Sequence, residues 1–264
     1  MKNLTHIARL IRKEMAKFET LAEANAENRT RITILRRVGN KLDEPVCLEL
    51  ADRLEGCIKG HPCGSMACSR CSRQRRLRLV NKWLDFFQTH PDYVMVTLIF
   101  YDEMFPNKLL LGWDLNRLKQ RLRKQLERIG FEGTILGGFE MDYHRHTQQP
   151  DESRWMPHFH LLLPNDPAKI KQLHRYMLRP KNLHCRKGKV NRPMRKDPVV
   201  DVVHAFTYCF KAMWQELPIF VNAEGELTSG RCKRRLKDPV FAKSLVKLDR
   251  LTDSQLTLTM NVHK

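Results

Sequence analysis

The stretch Trp155-Met156-Pro157-His158-Phe159-His160-Leu161-Leu162-Leu163-Pro164 decides how the rest of the chain is read. Side chains alternate from face to face along a strand, so His158 and His160 project to one side and Phe159 and Leu161 to the other. Two imidazoles one strand-step apart can grip a single metal ion. The alternative is a hydrogen-bonded core histidine beside an exposed one. A strand bounded by Pro157 and Pro164 and otherwise apolar has little structural use for two titratable rings.

A hard divalent ion such as Mg²⁺ or Mn²⁺ takes oxygen more readily than imidazole, so a two-histidine site for it wants a carboxylate as well. Glu140 is placed to supply one. It sits in Gly-Gly-Phe-Glu-Met-Asp-Tyr, on the strand expected just before the histidine strand. Neighbouring antiparallel strands set same-face residues side by side. Asp142 shares that face and is the alternative ligand. His144 and His146 form a second His-x-His, which falls in a polar loop and is expected in solvent. Two His and one Glu leave coordination positions open for substrate oxygens.

The charge of the chain indicates which oxygens. Among 264 residues, 48 Lys and Arg face 29 Asp and Glu, a formal net charge of +19. That excess exceeds what solubility requires and makes nucleic acid the first partner to consider. No apolar run is long enough to span a bilayer, and the segment beginning Met-Lys-Asn-Leu-Thr-His leads into no signal-peptide core, so a soluble, cytoplasmic protein with no membrane partner is expected. The site oxygens are then those of a phosphodiester, and cleavage needs a nucleophile.

The segment Val203-His-Ala-Phe-Thr-Tyr208-Cys-Phe-Lys211-Ala-Met-Trp offers one. A helix from about His204 to Gln215 makes Tyr208 and Lys211 neighbours. A phenol of pKa about 10 is a poor nucleophile at neutral pH, but a nearby ammonium and a metal favour its phenolate. Taken alone, Tyr208 reads rather as a core aromatic beside Phe206 and Phe210.

Four of the eight cysteines crowd into Cys57-Ile-Lys-Gly-His-Pro-Cys63-Gly-Ser-Met-Ala-Cys68-Ser-Arg-Cys71. Clustering in a chain without an export signal favours metal over disulfide. Cys68-x2-Cys71 is a usual half-site for a structural Zn²⁺, and Cys57 and Cys63 can complete it. Their own spacing is loose, which leaves His61 as a substitute ligand. The next segment is a helix with Leu77, Val80, Trp83, Leu84 and Phe87 on one face. Arg70, Arg73, Arg75, Arg76 and Arg78 crowd its start, where positive charge opposes the helix dipole. Arg73, Arg75, Arg76 and Arg78 are therefore expected to contact DNA phosphates.

Elsewhere the periodicity predicts a helix over residues 3–24, an undecided segment at 29–39, strands at 93–100 and 134–143, helices at 113–129 and from Asp166 through Met177, and a mobile or DNA-ordered loop at 179–198. A short strand at 199–203 follows. Mixed strands and helices without repeats make an α+β protein. Four segments are expected: an N-terminal helical arm (1–45), the cysteine cluster with its basic helix (46–90), a catalytic domain (91–220) and a basic tail (221–264).

Val96-Thr-Leu-Ile-Phe100, then Pro157-His158-Phe-His160-Leu-Leu-Leu163, then Tyr208-x-x-Lys211, in that order, resembles the three motifs of the HUH endonucleases of the rolling-circle replication initiator type. The likeness covers about residues 92–216. The cysteine segment followed by an arginine-rich helix is similar to the region upstream of the first motif in several plasmid, phage and insertion-sequence initiators. The resemblance implies a central antiparallel sheet carrying both histidines and a divalent ion, Mg²⁺ or Mn²⁺, held by His158, His160 and Glu140. It implies Tyr208 as the nucleophile with Lys211 as its helper. Attack on single-stranded or hairpin origin DNA leaves a 5′-phosphotyrosine and frees a 3′-OH for polymerase, with host helicase and polymerase as further partners. Positions 204 and 212 are His and Ala, so the pattern is that of a one-tyrosine enzyme. A histidine-triad hydrolase fails because Leu162 stands where the third histidine belongs. A cupin-like barrel does not call for +19. An insertion-sequence or mobilisation nuclease of the same chemistry, or a non-catalytic zinc-containing DNA-binding regulator, are the alternatives.

Overall fold

Three strands make the centre of a seven-stranded sheet: β1 (Tyr93–Ile99), β2 (Ile135–His146) and β3 (Arg154–Pro164). The computed structural model describes residues 3–15, 18–58, 60–186, 189–211, 213–230 and 232–261. β3 lies between the other two and runs antiparallel to both, with His158 opposite Glu140 and Ile99, and His160 opposite Gly138 and Thr97. The hairpin expected between the Glu140 strand and the histidine strand is therefore present. Its polar connection is shorter than expected, because β2 continues to His146 and carries His144 and His146 as strand residues.

β4 (His184–Arg186) and β5 (Lys189–Asn191) pair as a separate two-stranded ribbon, and β6 (Met194–Pro198) adds to the outer edge of β1. The segment expected as a loop at 179–198 thus forms strands. Of its three prolines, Pro180 opens a short 3-10 turn, and Pro193 and Pro198 stand just before and at the end of β6, where they disturb few ladder bonds. The expected strand at 199–203 is absent; Asp201 instead caps a helix.

The far edge of β2 is shared by two short strands. β7 (Gln215–Val221) pairs with Asp142–His146, and β9 (Thr257–Met260) pairs with Ile135–Gly138. β8 (Leu227–Ser229) follows β7. The β2–β7 pair is parallel, so the sheet is mixed and not wholly antiparallel. A helix and not a tight turn delivers the chain to β7, which frees its direction from the hairpin rule.

One face of the sheet is an aromatic core. Phe139 meets Phe159 at 5.2 Å and Trp113 at 5.7 Å, and Phe100 meets Phe159 at 6.2 Å. α5 and α6 belong to the same unit. In α5 (Leu115–Ile129) the expected apolar stripe Leu118, Leu122 and Leu126 is buried. Each such leucine contributes up to about 1.5–3 kcal/mol. Asp114 caps the start of α5 and Gly130, at φ 74, ends it. α6 (Pro167–Met177) starts on Asp166, whose carboxylate accepts from Ala168 N and Lys169 N. The other face carries the histidines.

The remaining helices form their own unit: α1 (Leu4–Glu14), α2 (Leu21–Leu42), α3 (Pro45–Glu55), α4 (Ser69–Thr89) and α8 (Asp238–Asp249). One helix over 3–24 was expected, and two are found. Thr20 and Glu23 form a reciprocal capping box that starts α2, with Thr20 N donating to Glu23 at 2.6 Å. The undecided segment at 29–39 lies inside α2. Buried Arg31 ties that helix to the cysteine segment, donating to Ala67 O at 2.8 Å while pairing with Glu27 at 2.9 Å.

By contacts the chain divides into residues 1–89, 201–207 and 237–253 on one hand and 90–200, 208–236 and 254–264 on the other. Segments 1–45 and 46–90 thus lie in one unit up to Thr89. The stretch expected as a basic tail supplies α8 to the first unit and β9 to the second. α7 (Val202–Cys209) carries the chain from the first to the second, and the four-residue α9 (Asp253–Leu256) precedes β9. Among the described residues, no helix is long and apolar enough to cross a membrane.

Candidate metal and tyrosine site

The sheet register brings Glu140, His158 and His160 together on the face opposite the aromatic core, and all three are buried. His160 Nε2 lies 3.3 Å from Glu140 Oε2 and His158 Nε2 lies 3.6 Å from the same oxygen. The far nitrogens are held from behind: His158 Nδ1 is 3.2 Å from Met156 O, and His160 Nδ1 is 2.9 Å from Thr97 Oγ1. With Nδ1 turned to the Met156 carbonyl, Nε2 is the His158 nitrogen that faces Glu140. Such outer partners are what fix ligating imidazoles. Glu140 Oε1 is buried without a hydrogen-bond partner, and Lys211 Nζ stands 3.5 Å away. Three converging donors with an orphaned carboxylate oxygen fit a divalent cation, and these three residues group as a metal-capable set.

The same geometry accounts for their protonation. Burial pushes the Glu140 carboxyl up, but hydrogen bonds from His158 and His160 and the Lys211 charge overcome it and hold the group below the usual carboxylate range. Burial pushes His158 down, yet Glu140 and Asp142 raise it above its ordinary value. In His160 burial wins and the pKa is lowered.

Tyr208 reaches this cluster from the last turn of α7, its ring 4.7 Å from that of His160. The approach depends on a missing side chain. A Cβ on Gly138 would lie 2.0 Å from Cys209 O, so only glycine lets the helix end come this close to β2. α7 stops at Cys209 and does not run to Gln215, because Gln215 is already paired with Asp142 in the sheet. Tyr208 and Lys211 remain neighbours through a turn, with Lys211 N donating to Tyr208 O at 3.3 Å and Lys211 Nζ 5.6 Å from the Tyr208 ring. Burial and the Glu140 charge push the Tyr208 phenol above its ordinary value, opposed chiefly by Lys233. Ala212, the other position bearing on the one-tyrosine reading, lies outside the described residues.

No protein-family model, curated protein or solved structure matches the chain.

Sequence reasoning missed Lys233. It lies in the segment after β8 and extends its ammonium to 2.6 Å from Asp142 Oδ2. This pairing occupies the carboxylate that was the alternative ligand. Lys233 has no periodic context or motif, so nothing in the sequence marks it. Arg195 of β6 and His144 were likewise not foreseen at the site, yet both line the same cavity, about 320 Å³ in volume, as Tyr208 and the two histidines.

The cysteine segment forms a second cluster, in the helical unit. Cys57 Sγ is 3.6 Å from Cys71 Sγ and 3.6 Å from Cys68 Sγ, and Cys63 Sγ is 3.7 Å from Cys71 Sγ. Four thiolates around zinc at 2.3 Å stand about 3.8 Å apart, so the set fits and can hold a metal such as zinc. Gly60 and Gly64, at φ 91 and 73, make the turns that let the loose spacing close. His61 is exposed and outside the set, which removes it as a ligand. Hydrogen bonds from Cys63 and Cys68 hold the Cys71 thiol down to about 2, while bonding and burial push Cys68 up. Cys47 and Cys209 are buried and Cys232 exposed, all free thiols. The Cys185 side chain lies outside those described.

The arginines at the start of α4 are largely committed inside the fold. Arg75 is buried and paired with Asp253. Arg76 pairs with Glu19 and lies over the Phe18 ring at 4.9 Å, and Arg73 donates to Glu19 O at 2.9 Å. Their placement at a helix N-terminus is thus explained by carboxylate, carbonyl and ring contacts within the helical unit. Of the four expected DNA contacts, Arg78 is the exposed one.

Proposed function

We propose that the chain is a metal-dependent endonuclease of the HUH type that nicks single-stranded DNA through Tyr208 to start rolling-circle replication. One observation carries this reading: a buried set of two His and one Glu lies against a tyrosine, in a protein of net charge +19. His158, His160 and Glu140 would hold Mg²⁺ or Mn²⁺, and the Cys57, Cys63, Cys68 and Cys71 set would hold a structural Zn²⁺. Bound at the first set, a divalent ion would polarise the phosphodiester oxygens and offset the charge of Glu140.

The chain's own residues supply the rest. Thr97 and Met156 orient the imidazoles, Gly138 admits the helix end, and Lys211 restrains Glu140. Tyr208 Oη attacks phosphorus and a P–O bond to the phenol forms. The P–O3′ bond breaks, and the departing 3′-oxygen gains a proton as the phenol loses its own to solvent. The products are a 5′-phosphotyrosine and a 3′-OH that a polymerase can extend. An insertion-sequence or mobilisation nuclease would share every step, and primer extension from the nicked strand at an adjacent origin separates replication from those uses.

Incubation with single-stranded origin-like DNA and Mn²⁺, followed by a denaturing gel, tests the reading. A covalent adduct is expected for the wild type and none for Tyr208→Phe. An adduct that survives Tyr208→Phe removes the tyrosine from the mechanism. No adduct with any DNA favours a non-catalytic DNA-binding regulator.

A further inference from the structure

Lys211 is not placed to hold the substrate. Its ammonium lies 3.5 Å from Glu140 Oε1 and 3.2 Å from Gln215 Oε1, so it is committed to the carboxylate that would bind metal. Lys233 differs in each respect. It lines the cavity that Tyr208, His158 and His160 open into, whereas Lys211 is not among the described residues lining it. Its side chain keeps 32% of its exposure, enough to meet a ligand, while Asp142 fixes the ammonium at 2.6 Å. Asp142 itself is anchored in the sheet two residues beyond Glu140 on the same face, and its Oδ1 has no hydrogen-bond partner. An ammonium carries three donors, and one carboxylate oxygen uses one of them. The others remain for an anion in the cavity.

Resting on the nickase reading, we infer that Lys233, braced by Asp142, is the phosphate-binding residue of the site. It takes a non-bridging oxygen of the scissile phosphodiester, and Asp142 keeps it from collapsing onto Glu140. Among the described residues, Arg195 is the other lysine or arginine at the cavity wall, and it is drawn to Asp197 at 2.8 Å and is 77% exposed, so it is a weaker holder. The phosphate contact thereby comes from the segment between β8 and α8, not from the Tyr-x-x-Lys turn.

The test uses the full chain and three substitutions. Lys233→Met is expected to slow adduct formation on a single-stranded oligonucleotide about 10²-fold at saturating Mn²⁺, and Lys233→Arg to recover most of that rate. The decisive readout is a substrate with a methylphosphonate at the scissile linkage, which lacks one charged oxygen. It should slow the wild type strongly and add little to the loss in Lys233→Met. Equal slowing of both proteins overturns the inference, since a structural role for Lys233 would leave that sensitivity intact. Asp142→Asn, which keeps the shape of the brace, should show the same loss of sensitivity if Lys233→Met does not fold.

A separate arm distinguishes failure of the nickase reading. In Tyr208→Phe, the salt dependence of oligonucleotide binding should flatten by about 0.7 in log–log slope when Lys233→Met is added. If the wild type forms no adduct but this slope falls, the nickase reading is lost and the phosphate site stands. An unchanged slope removes the phosphate site.

Discussion

The two metal-capable clusters are built in opposite ways. The cysteine set comes from one short segment, residues 57–71, and closes through two left-handed glycines. The histidine set is assembled by sheet register from two strands, with a tyrosine from a helix end and lysines from two later segments. They also differ in what they do without an ion. Glu140 has Lys211 and a His158 of raised pKa as countercharges, with His160 against the same carboxylate, so that site is compensated internally. The sulphurs bond largely to one another, and Cys63 and Cys68, both pushed up, must give up protons to become ligands. A site that a cation completes should therefore be structural in the first case. In the second, the cation adds function to a fold that already stands.

The largest expected effect breaks that contrast at the cysteines. Cys68→Ser or a strong chelator should remove about one zinc per chain by elemental analysis. The helical unit should lose much of its stability, because binding free energy on the order of 10 kcal/mol in such sites is folding free energy. By contrast, Glu140→Gln should abolish Mn²⁺ binding by calorimetry yet shift the melting of the β-sheet unit little, since it removes a buried charge and keeps the shape. Melting that falls equally in both variants would end the distinction.

A smaller effect probes the register-built site. Gly138→Ala forces the end of α7 away from β2, because its Cβ would overlap the Cys209 carbonyl. Displacement of Tyr208 by about 1 Å should cost roughly 10²-fold in adduct rate. Mn²⁺ affinity should stay near wild type, as Glu140, His158 and His160 lie on strands that need not move. A loss of Mn²⁺ affinity equal to the loss of rate would show that the helix end also shapes the metal set.

What was legible in the sequence follows the same division. His158 and His160 were readable because strand alternation is local, and Glu140 because its hairpin partner is adjacent in sequence. The four cysteines were readable from spacing, although the choice between Cys57, Cys63 and His61 needed the turns. The mixed sheet was not legible, since the parallel partner of β2 lies after a helix whose end no periodicity marks. Thr20 and Glu23 spelled the break between α1 and α2, but the apolar pattern running past them masked it. Arg73, Arg75 and Arg76 read as a DNA surface because charge density says nothing of a carboxylate as distant as Asp253. Lys233 was invisible for the same reason: its meaning is a contact with Asp142, not a motif.

The smallest effect sharpens the comparison through protons. Cys71 is already held near 2, whereas Cys63 is pushed up to about 12 and Cys68 is pushed up too, so zinc must displace protons from at least those two at neutral pH. At the other site only His158 is raised above 6.5, and His160 is lowered. The sign follows from these directions. Without metal, the His158–Glu140 pairing stabilises the fold fully below pH 6.5 and is lost as pH rises through the raised value, whereas neutral His160 opposes protonation over the same range. Mn²⁺ needs His158 neutral, so its affinity should rise with pH up to the raised His158 value and then level off. Calorimetry in buffers of different ionisation heat should count two or more protons released per zinc at pH 8. For Mn²⁺ it should count no more than about one, falling toward zero as pH increases. Equal proton counts at the two sites would mean that the thiols are ionised before the metal arrives, and the cysteine cluster would then be as self-sufficient as the histidine one.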